Sequence, residues 1–410
     1  MIIIYLILEF IHFIYYVYVY FRYIYRIKKR VFNNDEVKIV INTYKTLDKK
    51  NIEYILKKSI YYDKELHKDV FMDKLEIKNF SRDEIKNILK FAILNQNNNN
   101  NYEKELTDLV NFTENKLEIE FNDKKKSKYI YFNWNKNYVE FHYRFLIFNI
   151  IVKTLTFLIH KYMLYKKYEY YNLEGNISFL YKNNGKKDTI MVIHGFGIGY
   201  IPYLSKINLL NEKYNVIILI LPNISGYYNN IFPNIDVITN SVNKFLEMKD
   251  INKYYILSHS FGTFISQIIL NNDKNNKIMK IIKIDPIIFW ISSFSILNFT
   301  HNKEHINYSF SYKSIYNILV NIFVNSDIYV NYICHRLLYP FDFLIINTDN
   351  KVKYYISRED RILDTNILYN MYKNDTNVEF IDNVEHGDII TNSEYSQIFE
   401  KITLQYEKKN

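Results

Sequence analysis

The fold of this chain is decided by residues 253–270, which read KYYILSHSFGTFISQIIL. Residues 253–257 are aromatic and apolar, which predicts a buried strand, and apolar residues then recur at helical spacing from Phe264 onward. Ser260 therefore falls between a strand and a helix, with Gly262 two residues later. This order is typical of a nucleophile elbow, in which a strained turn raises a serine above a sheet. Ser258 stands where the usual motif has its first glycine, but its small side chain still lets strand and helix pack closely.

The composition is biased, with 41 Tyr, 29 Phe and only 8 Gly among 410 residues, together with abundant Asn, Lys and Ile. Such a bias is typical of an AT-rich genome, so the net charge of +9 says little about function. The lysines are scattered and form no basic groove or known motif, so we expect no nucleic-acid binding. The single cysteine, Cys334, excludes an intramolecular disulfide framework and leaves the cellular compartment open.

The scarcity of glycine makes its positions informative. Five of the 8 glycines fall in three short motifs: Gly195, Gly197, Gly199, Gly262 and Gly387. A chain that rarely uses glycine keeps it where the backbone needs a positive φ or a close approach. These motifs are therefore the places where we expect unusual backbone geometry.

The N-terminal stretch Met1–Phe21 is apolar and aromatic except for Glu9 and His12. Its length suits a bilayer core of about 30 Å. Five basic residues follow between Arg22 and Arg30, which by the positive-inside rule puts the rest of the chain in the cytosol. We therefore predict a membrane anchor at residues 1–30, with a single pass and a cytosolic catalytic domain. The alternative is a buried, tyrosine-rich core helix.

Residues 31–170 predict a helical N-terminal extension. Ser81 and Glu84 have the spacing of a capping box, and the run Asn97–Asn101 is typical of a surface loop. A later helical stripe consists of Phe145, Phe148, Val152, Leu155 and Ile159, and Lys153 argues against a second membrane span. This helix either packs on the following domain or lies at a membrane interface, and we favour packing.

From about residue 171 short strands alternate with helices, which predicts a mostly parallel sheet. The predicted strands are 177–181, 189–193, 216–221, 253–257, 280–284, 352–357 and 378–381. The candidate chemical residues each follow one of these strands, at the edge where open α/β sheets bind ligands.

Ser260, Asp360 and His386 occur in the chain order expected of a serine hydrolase triad on such a sheet. A serine hydroxyl needs an imidazole to take its proton, and a carboxylate orients that imidazole and stabilises its charged form. Asp285, after the preceding strand, and Asp364, four residues beyond Asp360, are alternative acids. The expected role of His194 and His259 is structural.

The tetrahedral oxyanion of an acyl transfer needs N–H donors, and the loop at His194–Gly197 lies where they are expected. We assign these donors to the backbone N–H groups of Phe196 and Phe261. The motifs contain no metal-ligand spacing, and we expect neither a metal nor a cofactor.

With these motifs the chain resembles the α/β-hydrolase fold superfamily over about residues 171–400. Three further stretches resemble a membrane-anchored α/β-hydrolase group of fungi, plants and protists: HGFGIGYIPYL at 194–204, LPNIS at 221–225 and IDPI at 284–287. The resemblance implies an α/β-hydrolase domain at 171–410, with a helical lid insertion at about 287–345. It implies a serine hydrolase or a close relative and leaves the substrate open.

The interval after Asp285 is rich in aromatic and aliphatic residues, notably at 287–291 and 294–299. An apolar lid suits a lipophilic acyl or alkyl group, whereas the alternative is an ordinary buried helical layer. The function that we expect is hydrolysis of carboxylic esters, lipophilic or lipid esters in particular. The alternatives are an acyltransferase or peptidase with the same triad, and a non-catalytic scaffold that binds a lipid or protein. Natural substrate, organelle and oligomeric state do not follow from these residues.

Overall fold

The computed structural model describes residues 2–24, 34–63, 68–69, 76–94, 102–122, 129–131, 143–222, 224–225, 233–289, 327–334 and 349–404. Three sequence predictions fall partly or wholly outside these residues. They are the basic run at 26–30, the loop at Asn97–Asn101 and the lid, of which 290–326 and 335–348 lie outside.

The helices of the described part lie in two groups along the chain. Those before the large sheet are α1 (Ile2–Ile24), α2 (Asn34–Thr46), α3 (Lys49–Lys58), α4 (Arg82–Leu94), α5 (Glu103–Leu117) and α6 (Leu146–Tyr165). Those between and after its strands are α7 (Leu204–Asn211), α8 (Ile235–Met248), α9 (Phe261–Asn271), α10 (Ile328–Tyr332), α11 (Thr365–Tyr372), α12 (Asp388–Thr391) and α13 (Ser396–Leu404).

Two sheets are described. The small one has the order β2-β1-β3, with β1 (Ile60–Asp63), β2 (Lys68–Asp69) and β3 (Tyr129–Tyr131). The large one consists of β4 (Glu169–Asn172), β5 (Ser178–Lys182), β6 (Thr189–Ile193), β7 (Asn215–Ile220), β8 (Tyr254–His259), β9 (Ile278–Ile284), β10 (Val352–Ser357) and β11 (Val378–Ile381).

The order of the large sheet is β4-β5-β7-β6-β8-β9-β10-β11. Strands β6 to β11 are parallel, whereas β5 is antiparallel to β7 and β4 to β5. This is the strand order of the α/β-hydrolase fold, so the predicted fold class is confirmed. The chain leaves β6 toward β7 and then returns to the other side of β6 for β8. That reversal creates a topological switch point, where a ligand crevice is expected.

The predicted strands agree with the structure to within two residues at each end, but β4 was not predicted. Its sequence, EYYN, has no alternating apolar pattern, and three of its four residues are exposed. It joins the sheet edge through backbone pairing with β5, from Glu169 opposite Tyr181 to Asn172 opposite Ser178. Backbone pairing of this kind leaves no signature in the side chains.

Burial explains why the central strands are continuous apolar runs. All residues of β6 and β7 are buried, as expected for strands covered on both faces. One face packs against α8 and α9, through residues such as Phe245 and Ile265. The opposite face packs against α7, α12 and α13, through residues such as Ile207, Ile389 and Phe399.

The helical extension shares its core with the sheet. Buried residues of α2 to α5, such as Tyr44 and Leu109, belong to the same apolar cluster as the α8–α9 face of the sheet. The predicted capping box is confirmed at the start of α4. Ser81 N–H donates to the Glu84 carboxylate at 2.8 Å, and Glu84 N–H donates to Ser81 Oγ at 3.2 Å.

The predicted packing face of α6 is wrong for three of its five residues. Phe145, Phe148 and Leu155 are 54%, 38% and 40% exposed, whereas Asn149 and Thr156 are buried. Val152 is buried, and the half-buried Ile159 packs against the core of the sheet, as predicted. The sequence rule assumes that apolar side chains turn inward, and here the inward positions include two polar residues that find hydrogen bonds inside the protein.

Candidate active site

The turn after β8 holds Ser260 in a strained conformation, with φ 51° and ψ −123°. Its N–H donates to the Ile284 carbonyl at 3.0 Å, which ties the turn to the end of β9. A Cβ at Gly262 would lie 2.3 Å from the Ile193 carbonyl oxygen, so a side chain there would clash with the backbone of β6. Ser258 Oγ meets Ser266 Oγ at 2.9 Å, which shows how serine serves at the first small position. The elbow is thus held by three neighbouring elements.

Ser260, His386 and Asp360 lie in one hydrogen-bonded line. His386 Nε2 is 3.0 Å from Ser260 Oγ, and His386 Nδ1 is 2.6 Å from Asp360 Oδ2. A carboxylate only accepts, so Nδ1 carries a hydrogen and the lone pair of neutral His386 faces the serine. The three residues come from the ends of β8, β10 and β11, which the parallel sheet brings to one edge.

The second oxygen of Asp360 is held by the backbone of its own turn. Asp360 Oδ1 accepts from Ile362 N–H at 2.7 Å and from Leu363 N–H at 3.0 Å. The carboxylate is therefore fixed in orientation, with Oδ2 aimed at His386. Asp364, by contrast, caps α11 by accepting from Ile367 N–H. The structure thus brings Asp360, and not Asp364, to the imidazole.

Asp285 lies beside this line without contacting the imidazole through a hydrogen bond. It is fully buried, with φ 47°. Its Oδ1 accepts from Ser357 N–H at 2.9 Å and its Oδ2 from Gly387 N–H at 2.7 Å. Asp285 therefore joins the end of β10, three residues before Asp360, to the residue that follows His386. Asp285 is an alternative acid in the sequence, whereas in the structure it holds two backbone segments together through hydrogen bonds.

The loop after β6 lies against the nucleophile. A Cβ at Gly195 would be 2.9 Å from Ser260 Cβ, so glycine permits this close approach. The rings of Phe196 and Phe261 stack with centroids 4.2 Å apart, which places the two predicted oxyanion-hole residues side by side. Gly195 N–H donates to Tyr203 Oη at 2.8 Å, so this amide already has a partner within the loop.

Tyr203 and His259 form a hydrogen bond next to the elbow. Tyr203 Oη accepts from Gly195 and lies 2.7 Å from His259 Nδ1, to which it can donate its hydrogen. Burial, together with the nearby His386 and His194, holds the pKa of His259 well below its usual value. A neutral His259 then carries its hydrogen on Nε2, 3.7 Å from Asp285 Oδ2. Tyr203 lies in the stretch 194–204, but its sequence gives no role for the hydroxyl, because the partners Gly195 and His259 follow β6 and end β8.

The electrostatics centre on His386. Burial acts to lower the pKa of His386, but the negative charge of Asp360, its hydrogen bond and the charge of Asp285 together raise the pKa to about 9. Burial raises the pKa of the Asp285 carboxyl to about 6, against the opposing effect of His386. Burial lowers the pKa of His194 to about 4, so His194 is neutral at physiological pH. The site therefore favours a charged His386 between two carboxylates.

Ligand atoms of Asp285, Asp360 and His386 lie within 4.8 Å of one another, a grouping that a metal ion can also use. Here each of the three side chains already has hydrogen-bond partners: backbone N–H groups for Asp285, and one another for Asp360 and His386. Asp360 and His386 belong to the line that ends at Ser260, and Asp285 is held beside that line by two backbone N–H groups.

Comparisons with known proteins concern the fold. No family model matches the chain, and no curated protein does. Similar solved structures include a serine hydrolase from Cycloclasticus zankles, at 15% identity and a TM-score of 0.43 over 58% of this chain and 98% of that one. A candidate lipase from Acinetobacter baumannii has 16% identity and a TM-score of 0.45 over 62% and 97%. A bacterial membrane phospholipase A has 14% identity and a TM-score of 0.46 over 63% and 93%.

Proposed function

We propose that this protein is a serine hydrolase that cleaves carboxylic esters. Ser260 Oγ attacks the ester carbonyl carbon while His386 Nε2 takes its proton. The tetrahedral intermediate collapses, the proton passes from His386 to the departing alkoxide, and an acyl-enzyme on Ser260 remains. Water then attacks the acyl-enzyme in the same way, and the carboxylic acid leaves as Ser260 recovers its proton. Asp360 holds the imidazole tautomer and stabilises its charged form throughout.

The oxyanion that forms in both steps would be bound by the backbone N–H groups of Phe196 and Phe261. The stacking of their rings and the close approach of Gly195 to Ser260 support this assignment. Fixed N–H donors cost no reorganisation when the charge develops, which is why such donors contribute strongly to acyl transfer.

The observation that carries the proposal is the line from Ser260 through His386 to Asp360 at a strained turn. Strain at a non-glycine residue persists only where the surrounding structure enforces it, and it clusters at functional sites. The test is covalent labelling of the full chain by a fluorophosphonate probe, with Ser260→Ala as the matched control. We expect labelling of the parent protein alone. Equal labelling of both would show that another residue reacts, and no labelling of either would favour the non-catalytic scaffold.

The substrate class is inferred to be lipophilic esters. The half-buried apolar ring of Phe196 in the loop beside the nucleophile supports this, as does the apolar composition of residues 287–291 and 294–299. Hydrolysis rates on p-nitrophenyl esters of increasing chain length test it, and we expect kcat/KM to rise from acetate to octanoate. Transfer of the acyl group to an added alcohol, in preference to water, would instead identify an acyltransferase, and cleavage of an amide in preference to the matched ester a peptidase.

Residues 1–30 are proposed as a membrane anchor with the hydrolase domain (171–410) in the cytosol, on the ground of the apolar stretch and the basic residues that follow it. Helix α1 is apolar, and its apolar part is Ile3–Val19. Among the described helices, α6 is the one whose length and composition suffice to cross a membrane. Protease protection in sealed microsomes tests the orientation, because a cytosolic domain is digested from outside.

A further inference from the structure

Exposed apolar side chains are concentrated on two helices. Among the described residues, 24 of the 29 large hydrophobic side chains that are exposed lie at positions 3–21 and 145–165. These positions are the greater part of α1 and nearly all of α6. Single exposed apolar residues are ordinary on a protein surface, but a contiguous apolar patch of this extent marks an interaction site.

Helix α6 has polar residues on its buried face and apolar residues on its exposed face, which is the opposite of the arrangement that water favours. Its buried face carries Asn149, Val152, Thr156 and Met163. Its outward face carries apolar side chains, with Ile151 54% and Leu158 57% exposed. Thr156 Oγ1 donates to the Val152 carbonyl at 2.7 Å, so its hydroxyl is satisfied within the helix. Polar groups satisfied inside and apolar groups outside are the pattern that a hydrocarbon environment requires.

The two polar residues of α1 serve the start of α6. The Glu9 carboxylate accepts from Leu146 N–H at 3.0 Å and from the Tyr143 hydroxyl, which makes it an anionic cap on α6. His12 Nε2 lies 3.0 Å from Asn149 Nδ2. Glu9 and His12 are therefore turned toward α6. These two polar residues make α1 less suited to cross a membrane alone, and the same two residues hold α1 and α6 together.

The charges on α6 favour an anionic lipid surface over other binding partners. The basic residues of α6 and of the two positions that follow it are Lys153, His160, Lys161, Lys166 and Lys167, and this stretch contains no carboxylate. Lys153 lies about 120° around the helix from Ile147. It therefore lies at the flank of the outward face, from which its ammonium group can reach headgroups. Exposed lysines beside an apolar face suit an anionic lipid interface.

We propose that α1 and the outward face of α6 form one membrane-inserted unit, and that its partner is the acyl-chain region of an anionic bilayer. The end of α6 sets the depth of insertion. Met163 is buried in the core of the sheet. The His160 ring packs edge-on against the Tyr170 ring of β4, with ring centroids 4.8 Å apart. Both ends of α6 are held by the protein, since Arg144, just before its first turn, forms a buried ion pair with Asp327 and Met163 packs in the sheet's core. Helix α6 therefore presents its outward face to the facing leaflet and does not cross the bilayer. This inference extends the proposed anchor from α1 alone to a pair of helices.

The test uses single-cysteine variants of the full chain. Cys334, the one native cysteine, is buried and is first replaced by Ala. An environment-sensitive fluorophore is attached at Ile7→Cys on α1, at Ile151→Cys or Leu158→Cys on α6, or at Met248→Cys as a control. Met248 is 52% exposed and lies at the end of α8. The labelled proteins are bound to phosphatidylcholine–phosphatidylserine vesicles that contain acyl-chain spin labels.

We expect quenching at positions 7, 151 and 158 and none at 248. Quenching at position 7 alone would overturn the inference and leave the anchor on α1 intact. Shielding at 151 and 158 without quenching, together with crosslinking between chains, would identify a second copy as the occupant and also overturn it.

A second arm separates membrane insertion from catalysis. The double variant Ile151→Lys/Leu158→Lys places two charges on the outward face, and we expect its vesicle affinity to fall by on the order of tenfold or more. The matched control Met248→Lys/Met279→Lys adds the same charge at two exposed positions elsewhere and is expected to bind as the parent does. Hydrolysis of a short soluble ester should be unchanged in both. If Ile151→Lys/Leu158→Lys binds vesicles as tightly as the parent protein does, the outward face of α6 is not inserted and the inference is refuted. If the parent protein is not labelled by fluorophosphonate, the proposed hydrolase activity is refuted and the inference on membrane insertion is unaffected.

Discussion

The exchange Asp360→Asn tests the hydrogen-bonded line most directly. Asp360 Oδ1 accepts from two backbone N–H groups, at 2.7 and 3.0 Å, so the amide oxygen of the asparagine takes that place. The NH₂ group then stands where Oδ2 was, 2.6 Å from His386 Nδ1. It can only donate, so the ring hydrogen moves to Nε2 and the lone pair that should receive the Ser260 proton is lost.

The wrong tautomer is expected to lower kcat by about 10⁴-fold. At 1.36 kcal/mol for each factor of ten, that is about 5 kcal/mol of activation free energy. Stability should change little, because both exchanged groups are the same size and Oδ1 keeps its partners. The assay is kcat and KM on a soluble p-nitrophenyl ester, with thermal unfolding measured on the same samples.

Asp285→Asn is the matched control, because this carboxylate does not hydrogen-bond to the imidazole. Its two oxygens each accept from a backbone N–H group. In the asparagine variant one of these two backbone N–H groups faces an NH₂ group and loses its acceptor. We expect a loss of about 1–3 kcal/mol in the free energy of unfolding. We expect a fall in kcat of no more than about a hundredfold, through displacement of the loop that carries His386. Asp364→Asn, which alters a helix cap, should leave kcat within about twofold.

Equal losses of kcat in folded Asp360→Asn and Asp285→Asn, or a larger loss at Asp285, would refute the reasoning. That result would mean that the buried Asp285 supplies the charge that the imidazole needs. A large loss at Asp364 would refute it as well, because its carboxylate lies on α11, where it accepts from Ile367 N–H.

Four further predictions follow from other parts of the molecule. Ser260→Ala should lower ester hydrolysis by on the order of 10⁴-fold or more, and a mutant with most of its activity on a fluorogenic ester would exclude this nucleophile. The pKa of His386 is raised to about 9, and only neutral imidazole accepts a proton, so kcat/KM should rise with pH toward 9. A pH-independent kcat/KM between 6 and 9 would contradict this. Gly262→Ala should lower stability by about 1–3 kcal/mol in thermal unfolding, because its Cβ meets backbone at 2.3 Å. An unchanged unfolding temperature of Gly262→Ala would exclude the clash. Deletion of residues 1–30 should shift the protein partly into the supernatant on carbonate extraction, whereas full-length protein in the supernatant would refute the anchor.

The sequence predicted the positions of candidate chemistry because those positions depend on local signals. An apolar strand, a small residue and a glycine at fixed spacing identify the turn at Ser260, and the same reasoning finds Asp360 and His386 just after their strands. Parallel strands end at one edge of a sheet, so strand ends alone predict which side chains meet. The Ser81–Glu84 capping box was predictable for the same reason, since both partners lie within one turn.

Local patterns in the chain therefore predict all strands of the large sheet except β4, together with the residues that follow them. The roles of Asp285, Tyr203 and Glu9 emerge only from contacts between distant parts of the chain. Asp285 joins two loops through backbone N–H groups 72 and 102 residues away, and Glu9 caps a helix 137 residues away. A backbone donor carries no residue identity, so no sequence pattern identifies it as a partner. The exposed apolar face of α6 could not be assigned from the sequence either, because an apolar stripe on a helix does not say whether that stripe packs on protein or faces outward.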